Sequence, residues 1–129
     1  MHNIEIVKKA CYSEKCILSF SVGQDQRSSI GQKNSNFKVE ADSIDNVVKY
    51  DGSPIFIKMD IEGSELAALK GAVKTIVRGG TMLAVCVYHK PEDLFTIPQY
   101  IMSLNKKYKL YMRHYRDFSY DTVLYAIPQ

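Results

Sequence analysis

The fold is decided by the stretch Ile55-Phe56-Ile57-Lys58-Met59-Asp60-Ile61-Glu62-Gly63-Ser64-Glu65. A short apolar run ends there in three carboxylates spaced around a glycine, and an amphipathic segment follows at once. This order predicts a buried strand that turns directly into a helix. In open α/β sheets, ligands bind beyond the carboxyl ends of the strands, where helix N-termini and loop side chains share a crevice. The sequence therefore predicts a functional turn that carries Asp60 and Glu62.

A capping role explains the same acids without any function. Ser64 or Asp60 could be the N-cap of the helix, with Glu62 and Glu65 in its first turn, where carboxylates complement the positive end of the helix dipole. The residues of the turn alone leave the capping role and the functional role open.

The segment after the turn has helical periodicity and leads into a second apolar strand. Apolar residues recur at three- and four-residue steps and predict one helix face, which Gly79-Gly80 terminates; they are Leu66, Leu69, Val73, Ile76 and Val77. The run from Met82 to Tyr88 is continuously apolar, as expected for a strand of a parallel sheet covered on both faces. Strand, helix and strand form a predicted βαβ unit, so His89 should reach the same sheet edge as Asp60.

The flanking segments predict further elements of a single domain that spans residues 1–129. Two amino-terminal strands are expected to pair as a hairpin, the polar stretch 23–36 is expected to be a mobile surface loop, and a strand and a small helix follow. The bounds predicted for these elements are Ile4 to Ala10, Ile17 to Val22, Phe37 to Ala41 and Ile44 to Tyr50.

The carboxyl-terminal third predicts a helix and an antiparallel hairpin that closes one edge of the sheet. Pro98 is placed in the first turn of a helix through Lys107 with Ile97, Ile101 and Leu104 on its inner face. Two β-rich runs follow, Tyr108 to Tyr115 and Asp121 to Ile127. If the first arm runs parallel to the central strands, Arg113, His114 and Tyr115 also reach the crevice edge.

Composition narrows the class of protein. The 129 residues are 46% hydrophobic and show neither a membrane span nor a basic leader before an apolar core, so a cytoplasmic protein is expected. Cys11, Cys16 and Cys86 lack metal-ligand pairing and are interpreted as reduced thiols. The formal charge of +3 is too small to predict nucleic-acid binding. The basic stretch Lys106 to Arg116 could suit base stacking, but a solvated strand face explains it with fewer assumptions.

Several of these stretches resemble one known family. Lys58 to Glu65, followed by Ala68-Leu69-Lys70-Gly71-Ala72, closely resembles the signature of the FkbM family of S-adenosylmethionine-dependent methyltransferases. Later blocks resemble the same family in the same order, so the similarity covers most of the chain except the polar loop. These blocks are Leu83 to His89, Glu92-Asp93-Leu94, Ile97-Pro98, Tyr108 to Tyr111, Arg113-His114-Tyr115 and Thr122 to Ala126.

The resemblance implies a Rossmann-like class I methyltransferase fold and an enzyme that uses S-adenosyl-L-methionine. It implies O-methylation of a hydroxyl on a sugar or polyketide-like small molecule, with Asp60 and Glu62 near the acceptor and His89 as base. The residues implied on the cofactor side are Ala10, Cys11, Tyr12, Ser13 and Asp60, and those implied on the substrate side are Arg113, His114 and Tyr115.

One part of the family pattern is missing from this sequence. Such enzymes begin with a strand, a glycine-rich turn and a helix that hold the cofactor, and a second strand follows. Gly23 and Gly31 lie in the polar loop without an apolar strand before them, so they do not supply that turn. The chain thus resembles the carboxyl-terminal part of the fold, starting near its third strand. The edge of the strand at Ile55 to Met59 should then be filled by the amino-terminal strand or by another copy of the chain.

Two other interpretations of the acids and histidines remain open. A divalent metal site could be built from Asp60, Glu62, His89 and His114, since carboxylates and imidazoles suit such ions, although no tight spacing motif supports it and no metal is expected. Alternatively, the chain is a catalytically inactive remnant that serves as an oligomerisation or interaction module. His89 by itself could also be a strand-end residue with a structural hydrogen bond.

Overall fold

The computed structural model describes residues 3–22, 28–30, 37–117 and 121–129. They form a mixed α/β structure with two four-stranded sheets. In chain order, the elements are β1 (Ala10–Cys11), β2 (Cys16–Val22), β3 (Ser28–Ile30), β4 (Phe37–Asp42), α1 (Ile44–Val47), β5 (Phe56–Met59), α2 (Glu65–Lys70), α3 (Val73–Val77), β6 (Met82–Cys86), α4 (Asp93–Leu104), β7 (Tyr108–His114) and β8 (Thr122–Pro128).

The second sheet, of order β5-β6-β8-β7, carries the predicted βαβ unit. β5 and β6 are parallel, with Phe56 opposite Met82 and Met59 opposite Val85. The predicted antiparallel hairpin is also confirmed, because β8 is antiparallel to both β6 and β7. β7 consequently runs parallel to β5 and β6, and all three end at the same sheet edge.

The helices cover this sheet and bury its apolar face. The core joins α2, α3 and α4 to β5, β6 and β8, as expected for apolar helix stripes packed on a sheet. The residues that are fully inaccessible include Leu69, Ile76, Leu83, Val85, Val87, Ile97 and Ile101.

The single helix predicted after the turn is divided in two. α2 ends at Lys70 and α3 begins at Val73, because Gly71 and Ala72 form a turn between them. Gly71 lies so close to the segment after β1 that an added Cβ would clash with the carbonyl oxygen of Tyr12. Val77, predicted on the buried face, is 51% exposed, whereas the predicted end at Gly79-Gly80 is confirmed by φ values of +86° and +78°.

α4 begins at Asp93, so Pro98 lies in its second turn and not in the first turn as predicted. Pro98 lies inside the helix, where it cannot donate a backbone hydrogen bond. Ile97 and Ile101, which lie before and after the proline, are both buried in the core. Their burial accounts for a helix that continues through Pro98.

The first sheet, of order β1-β4-β2-β3, differs from the predicted hairpin. Residues 3–9 form no strand, and Ile4 and Ile6 are 84% and 79% exposed, so their β-branched side chains find no core. β1 pairs in parallel with β4, while β2 pairs with β4 in antiparallel register. The predicted loop 23–36 contains β3; the rest of that prediction lies outside the described residues.

β5 lies at an edge of its sheet, and β1 does not move across to pair with it. Tyr12 donates its N–H to the carbonyl of Asp42, and Lys9 forms a 2.6 Å ion pair with the Asp42 carboxylate, so the amino-terminal segment is held on β4. Phe56 is therefore 57% exposed on the strand that was predicted to be buried. None of the helices in the described ranges is long and apolar enough to cross a membrane.

Candidate active site at the ends of the parallel strands

The turn after β5 is made by two consecutive residues with left-handed backbone conformations. Glu62 has a φ of +54° and Gly63 a φ of +90°. A Cβ on Gly63 would lie 3.1 Å from the Lys90 Cε atom and 3.6 Å from the His89 Cβ atom, so glycine allows the two loops to approach closely. A non-glycine residue in this conformation is strained, and such strain concentrates at functional sites.

His89 lies among three carboxylates at this edge. Its Nε2 atom is 3.5 Å from Asp60 Oδ1 and 3.6 Å from Glu62 Oε2, and its Nδ1 atom is 3.0 Å from Glu65 Oε1. The side chains of His89 and Glu65 are 9% and 0% exposed, whereas those of Asp60 and Glu62 are 41% and 54% exposed. The cluster thus has a buried side and a side that is open to a ligand. The prediction that His89 and Asp60 meet at one edge is confirmed.

Several polar atoms in the buried side have no hydrogen-bond partner. Glu65 Oε1 accepts the Ile61 N–H at 2.9 Å, but Glu65 Oε2 is buried without a partner. Both ring nitrogens of His89 are also buried and make no hydrogen bond of acceptable geometry. Buried polar groups are normally satisfied, so this arrangement calls for an additional group.

Capping does not account for Asp60. The N-cap of α2 is Ser64, and its side chain makes no capping hydrogen bond. Asp60 instead accepts a 3.2 Å hydrogen bond from the Tyr88 hydroxyl, and the Tyr88 ring is tilted by 34° against the His89 ring, with centroids 4.2 Å apart. The first-turn acid of α2 is Glu65, which faces the protein interior.

The surroundings of Asp60 hold two neighbouring groups in their protonated forms. Burial, followed by the Asp60 charge, raises the pKa of the Cys86 thiol to about 12. The same two causes raise the pKa of Tyr88 to about 12. Burial, followed by the charge of Glu65, also raises the pKa of Asp93, whose Oδ2 atom is buried without a partner. Near neutral pH, Cys86 and Tyr88 are therefore hydrogen-bond donors rather than bases.

The predicted cofactor segment lies beside this turn. Tyr12 and Ser13 line an open cavity of about 440 Å³ that also includes Gly63 and Ser64. Its remaining lining residues are Leu66, Ala67, Lys70 and Lys90. Ala10 and Cys11 form β1 and do not line this cavity. The structure brings half of the predicted segment to the turn that carries Asp60.

The predicted substrate residues lie at the carboxyl end of β7. The Arg113 guanidinium is 5.5 Å from the centre of the Tyr115 ring, and the Tyr115 hydroxyl is 2.7 Å from that of Tyr125. His114 Nδ1 is 2.9 Å from the Thr122 hydroxyl. These residues line open cavities of about 570 and 770 Å³. Within the described ranges, no hydrogen bond or ion pair joins them to the His89 cluster.

The composition of the cluster differs from that predicted for a metal site. Asp60, Glu65 and His89 have ligand atoms that all lie within 4.8 Å of one another. His114 is not in this group, because it lies on β7 and contacts Thr122. Glu65 was predicted only as a first-turn acid, and the sequence does not indicate that Ile61 and His89 turn its carboxylate inward.

A mixed α/β chain with a carboxylate and imidazole cluster at the ends of two parallel strands has the architecture of an α/β ligand-binding domain. The family model described as the methyltransferase FkbM domain matches residues 3–116, so the chain belongs to the FkbM methyltransferase family.

A solved structure agrees with this assignment. The chain is similar to the crystal structure of methyltransferase FkbM from Methylobacillus flagellatus KT, with 32% sequence identity and a TM-score of 0.73. The match covers 95% of this chain and 28% of that one. A comparison with curated proteins found no match.

Proposed function

We propose that the chain carries part of the active site of an S-adenosylmethionine-dependent methyltransferase with a Rossmann-like class I fold. The proposed reaction is O-methylation of a hydroxyl on a sugar or polyketide-like small molecule. The observation that carries this proposal is the meeting of Asp60, Glu62 and His89 at the ends of β5 and β6, beside the cavity lined by Tyr12 and Ser13. Membership of the family supports it.

The cavity beside the turn suits one side of the cofactor. Its volume of about 440 Å³ is within the range of small-molecule sites. Tyr12 and Ser13 offer an aromatic ring, a hydroxyl and backbone groups on the proposed adenine side. The Asp60 and Glu62 carboxylates would stabilise the positive charge of a sulfonium. The residues present therefore fit part of this cofactor, its adenine side and its sulfonium.

The bound cofactor would supply an electrophilic methyl group for transfer to the acceptor oxygen, with S-adenosylhomocysteine as the leaving group. The protein must hold the acceptor oxygen in line and remove its proton. We assign this role to Asp60, Glu62 and His89: the two carboxylates are partly exposed on the open side of the cluster, and His89 Nε2 lies behind them at 3.5 and 3.6 Å. We assign Arg113, His114 and Tyr115 to the outer wall of the acceptor site.

The test is a transfer assay that measures S-adenosylhomocysteine formed with a panel of glycoside and polyketide-like alcohols. His89→Gln and Asp60→Asn should each lower the rate by about 100-fold, the lower end of what acid–base groups contribute. Asp51→Asn is the matched control, since Asp51 is an exposed acid that contacts Ser53 before β5. Unchanged transfer in His89→Gln would contradict the proposal, as would a wild-type chain that neither transfers methyl groups nor binds S-adenosylhomocysteine.

A further inference from the structure

The cluster around His89 has more negative charge than its own side chains offset. Three carboxylates, those of Asp60, Glu62 and Glu65, lie within 3.6 Å of the two ring nitrogens. A neutral imidazole has one N–H to donate, and Glu65 Oε2 is buried without any partner. An uncompensated buried carboxylate is costly, so the arrangement favours a bound cation.

The spacing of the atoms is slightly wider than that of a first coordination shell. Oxygen ligands of Mg²⁺ lie about 2.1 Å from the ion, so neighbouring ligands in an octahedron are about 3 Å apart and opposite ligands about 4.2 Å apart. The ligand atoms of Asp60, Glu65 and His89 lie within 4.8 Å of one another, and Glu65 Oε1 is 3.0 Å from His89 Nδ1. Asp60 lies beside His89 Nε2 and Glu65 beside Nδ1, so one ring nitrogen would bind the ion after small movements of the side chains.

The identity of the ligands indicates the class of ion. Two or three carboxylates with one imidazole suit Mn²⁺ or Mg²⁺, whereas Zn²⁺ sites usually contain more histidine or cysteine. The Cys86 thiol is not part of the group of ligand atoms, so the candidate set contains no sulfur. Asp60 and Glu62 are partly exposed and would leave coordination positions open to solvent or to a ligand.

We propose that Asp60, Glu65 and His89 bind one divalent cation of the Mn²⁺ and Mg²⁺ class, with Glu62 as an adjacent carboxylate. Binding of the ion does not depend on the proposed methyl transfer, but the catalytic role of the ion rests on that proposed function. In that role the cation would hold the acceptor hydroxyl and lower its pKa, and the exposed Glu62 carboxylate would take the proton. His89 would then be a ligand rather than the base.

The test is a titration of the chain with Mn²⁺ in the absence of any methyl donor. The electron paramagnetic resonance signal of the free ion measures how much Mn²⁺ is bound. We expect one saturable site. Asp60→Asn and Glu65→Gln should each weaken Mn²⁺ affinity at least about tenfold, and Mg²⁺ should displace Mn²⁺. Asp51→Asn should bind as the wild type does. Because Glu65 is buried and its variant could unfold, the partly exposed Asp60 provides the decisive variant.

Absence of a saturable site, or binding that Asp60→Asn leaves unchanged, would overturn the metal proposal. S-adenosylhomocysteine binding, measured separately, distinguishes the two proposals. Mn²⁺ binding without S-adenosylhomocysteine binding would support the metal site and contradict the methyltransferase proposal. If the chain does not bind Mn²⁺, but S-adenosylhomocysteine binding and methyl transfer persist in EDTA, the methyltransferase proposal is supported and the metal site is contradicted.

Discussion

Glu62 combines a strained backbone with an exposed carboxylate at the candidate site. Its φ of +54° is a conformation that costs an L-residue other than glycine about 1–2 kcal/mol. The carboxylate lies 3.6 Å from His89 Nε2, and the side chain is 54% exposed. Burial of this side chain therefore offsets little of the backbone strain. Strain at such a position is expected where the side chain serves function rather than stability.

Replacing Glu62 should therefore separate stability from activity. Glu62→Gly and Glu62→Ala both remove the carboxylate, but only glycine relieves the left-handed backbone. Urea denaturation should show the glycine variant to be more stable than the alanine variant by about 1 kcal/mol. Both variants should lose most of the methyl transfer. An alanine variant that is as stable as the glycine variant would show that position 62 is unstrained.

At the scale of elements, the break between α2 and α3 links the helices to the proposed cofactor segment. The Gly71 N–H donates to backbone carbonyls of α2. The Asp45 carboxylate in α1 accepts the backbone N–H groups of Lys74 and Thr75, which follow the turn, at 2.8 Å each. Because an added methyl at Gly71 would meet the Tyr12 carbonyl, this turn sets the position of Tyr12 and Ser13.

Gly71→Ala should displace that segment and weaken cofactor binding. We expect a loss of about 1–3 kcal/mol in the free energy of unfolding, the usual range for overpacking. Calorimetry should also show weaker S-adenosylhomocysteine binding. Gly79→Ala is the control: its φ of +86° makes alanine costly, but its Cβ would meet nothing within 4 Å, so ligand binding should be unchanged. Equal effects of the two variants on binding would contradict the link.

The junction between the amino-terminal segment and β4 should be sensitive to acid. The hydrogen bond and ion pair with Lys9, supported by Asn46, lower the pKa of Asp42 from 3.8 to about 2. A carboxylate with a lowered pKa stabilises the folded state above its ordinary pKa, and that contribution disappears as the pH falls towards the folded value. The stabilisation should therefore be complete above about pH 4 and lost towards pH 2.

Urea unfolding of the wild type and Asp42→Asn at several pH values measures this effect. The wild type should be the more stable protein at pH 7, and the difference between the two free energies of unfolding should shrink between pH 4 and pH 2, as the folded pKa of about 2 requires. A difference that stays constant over this range would show that the Lys9 pair does not depend on the charge of Asp42.

The elements that the sequence predicted correctly are those with a strong local period. The alternation of apolar strand, helix and strand predicted β5, β6 and their parallel pairing, and hence the meeting of Asp60 with His89. The hairpin β7-β8 was equally clear from its alternating pattern. In the site, the inward turn of Glu65 could not be predicted, because it depends on a contact between two loops rather than on spacing.

The wrong predictions concern segments whose structure depends on distant partners. Ile4 and Ile6 have high strand propensity, but without a partner strand they remain exposed. Pro98 was interpreted as the start of a helix, yet burial of Ile97 extends α4 backwards. The break at Gly71 follows from close packing against Tyr12, which no local pattern indicates.

At the scale of the whole molecule, the open edge of β5 is the main unsatisfied feature of the described sheets. A parallel strand at an edge leaves backbone groups unpaired and is a template for another strand. Phe56 is 57% exposed on this strand. The first sheet does not cover the edge, so a second copy of the chain remains the proposed partner.

Light scattering after size-exclusion chromatography tests this association. The wild type should form a concentration-dependent dimer, and Phe56→Lys should shift it to the monomer, because a charge on the edge opposes strand pairing. Tyr111→Lys is a control on the outer strand β7, where the side chain is 52% exposed, and should leave the dimer intact. A wild type that stays monomeric at all concentrations would refute association through this edge.

The central claim is that the ends of β5 and β6, with Tyr12 and Ser13, form a site for S-adenosylmethionine. Isothermal titration calorimetry of this chain with S-adenosylmethionine tests it most directly. The account predicts saturable binding at one ligand per chain, weakened by Asp60→Asn and unchanged by Asp51→Asn. Absence of binding, or binding that is indifferent to Asp60, would contradict it and would favour an interaction module without methyltransferase activity.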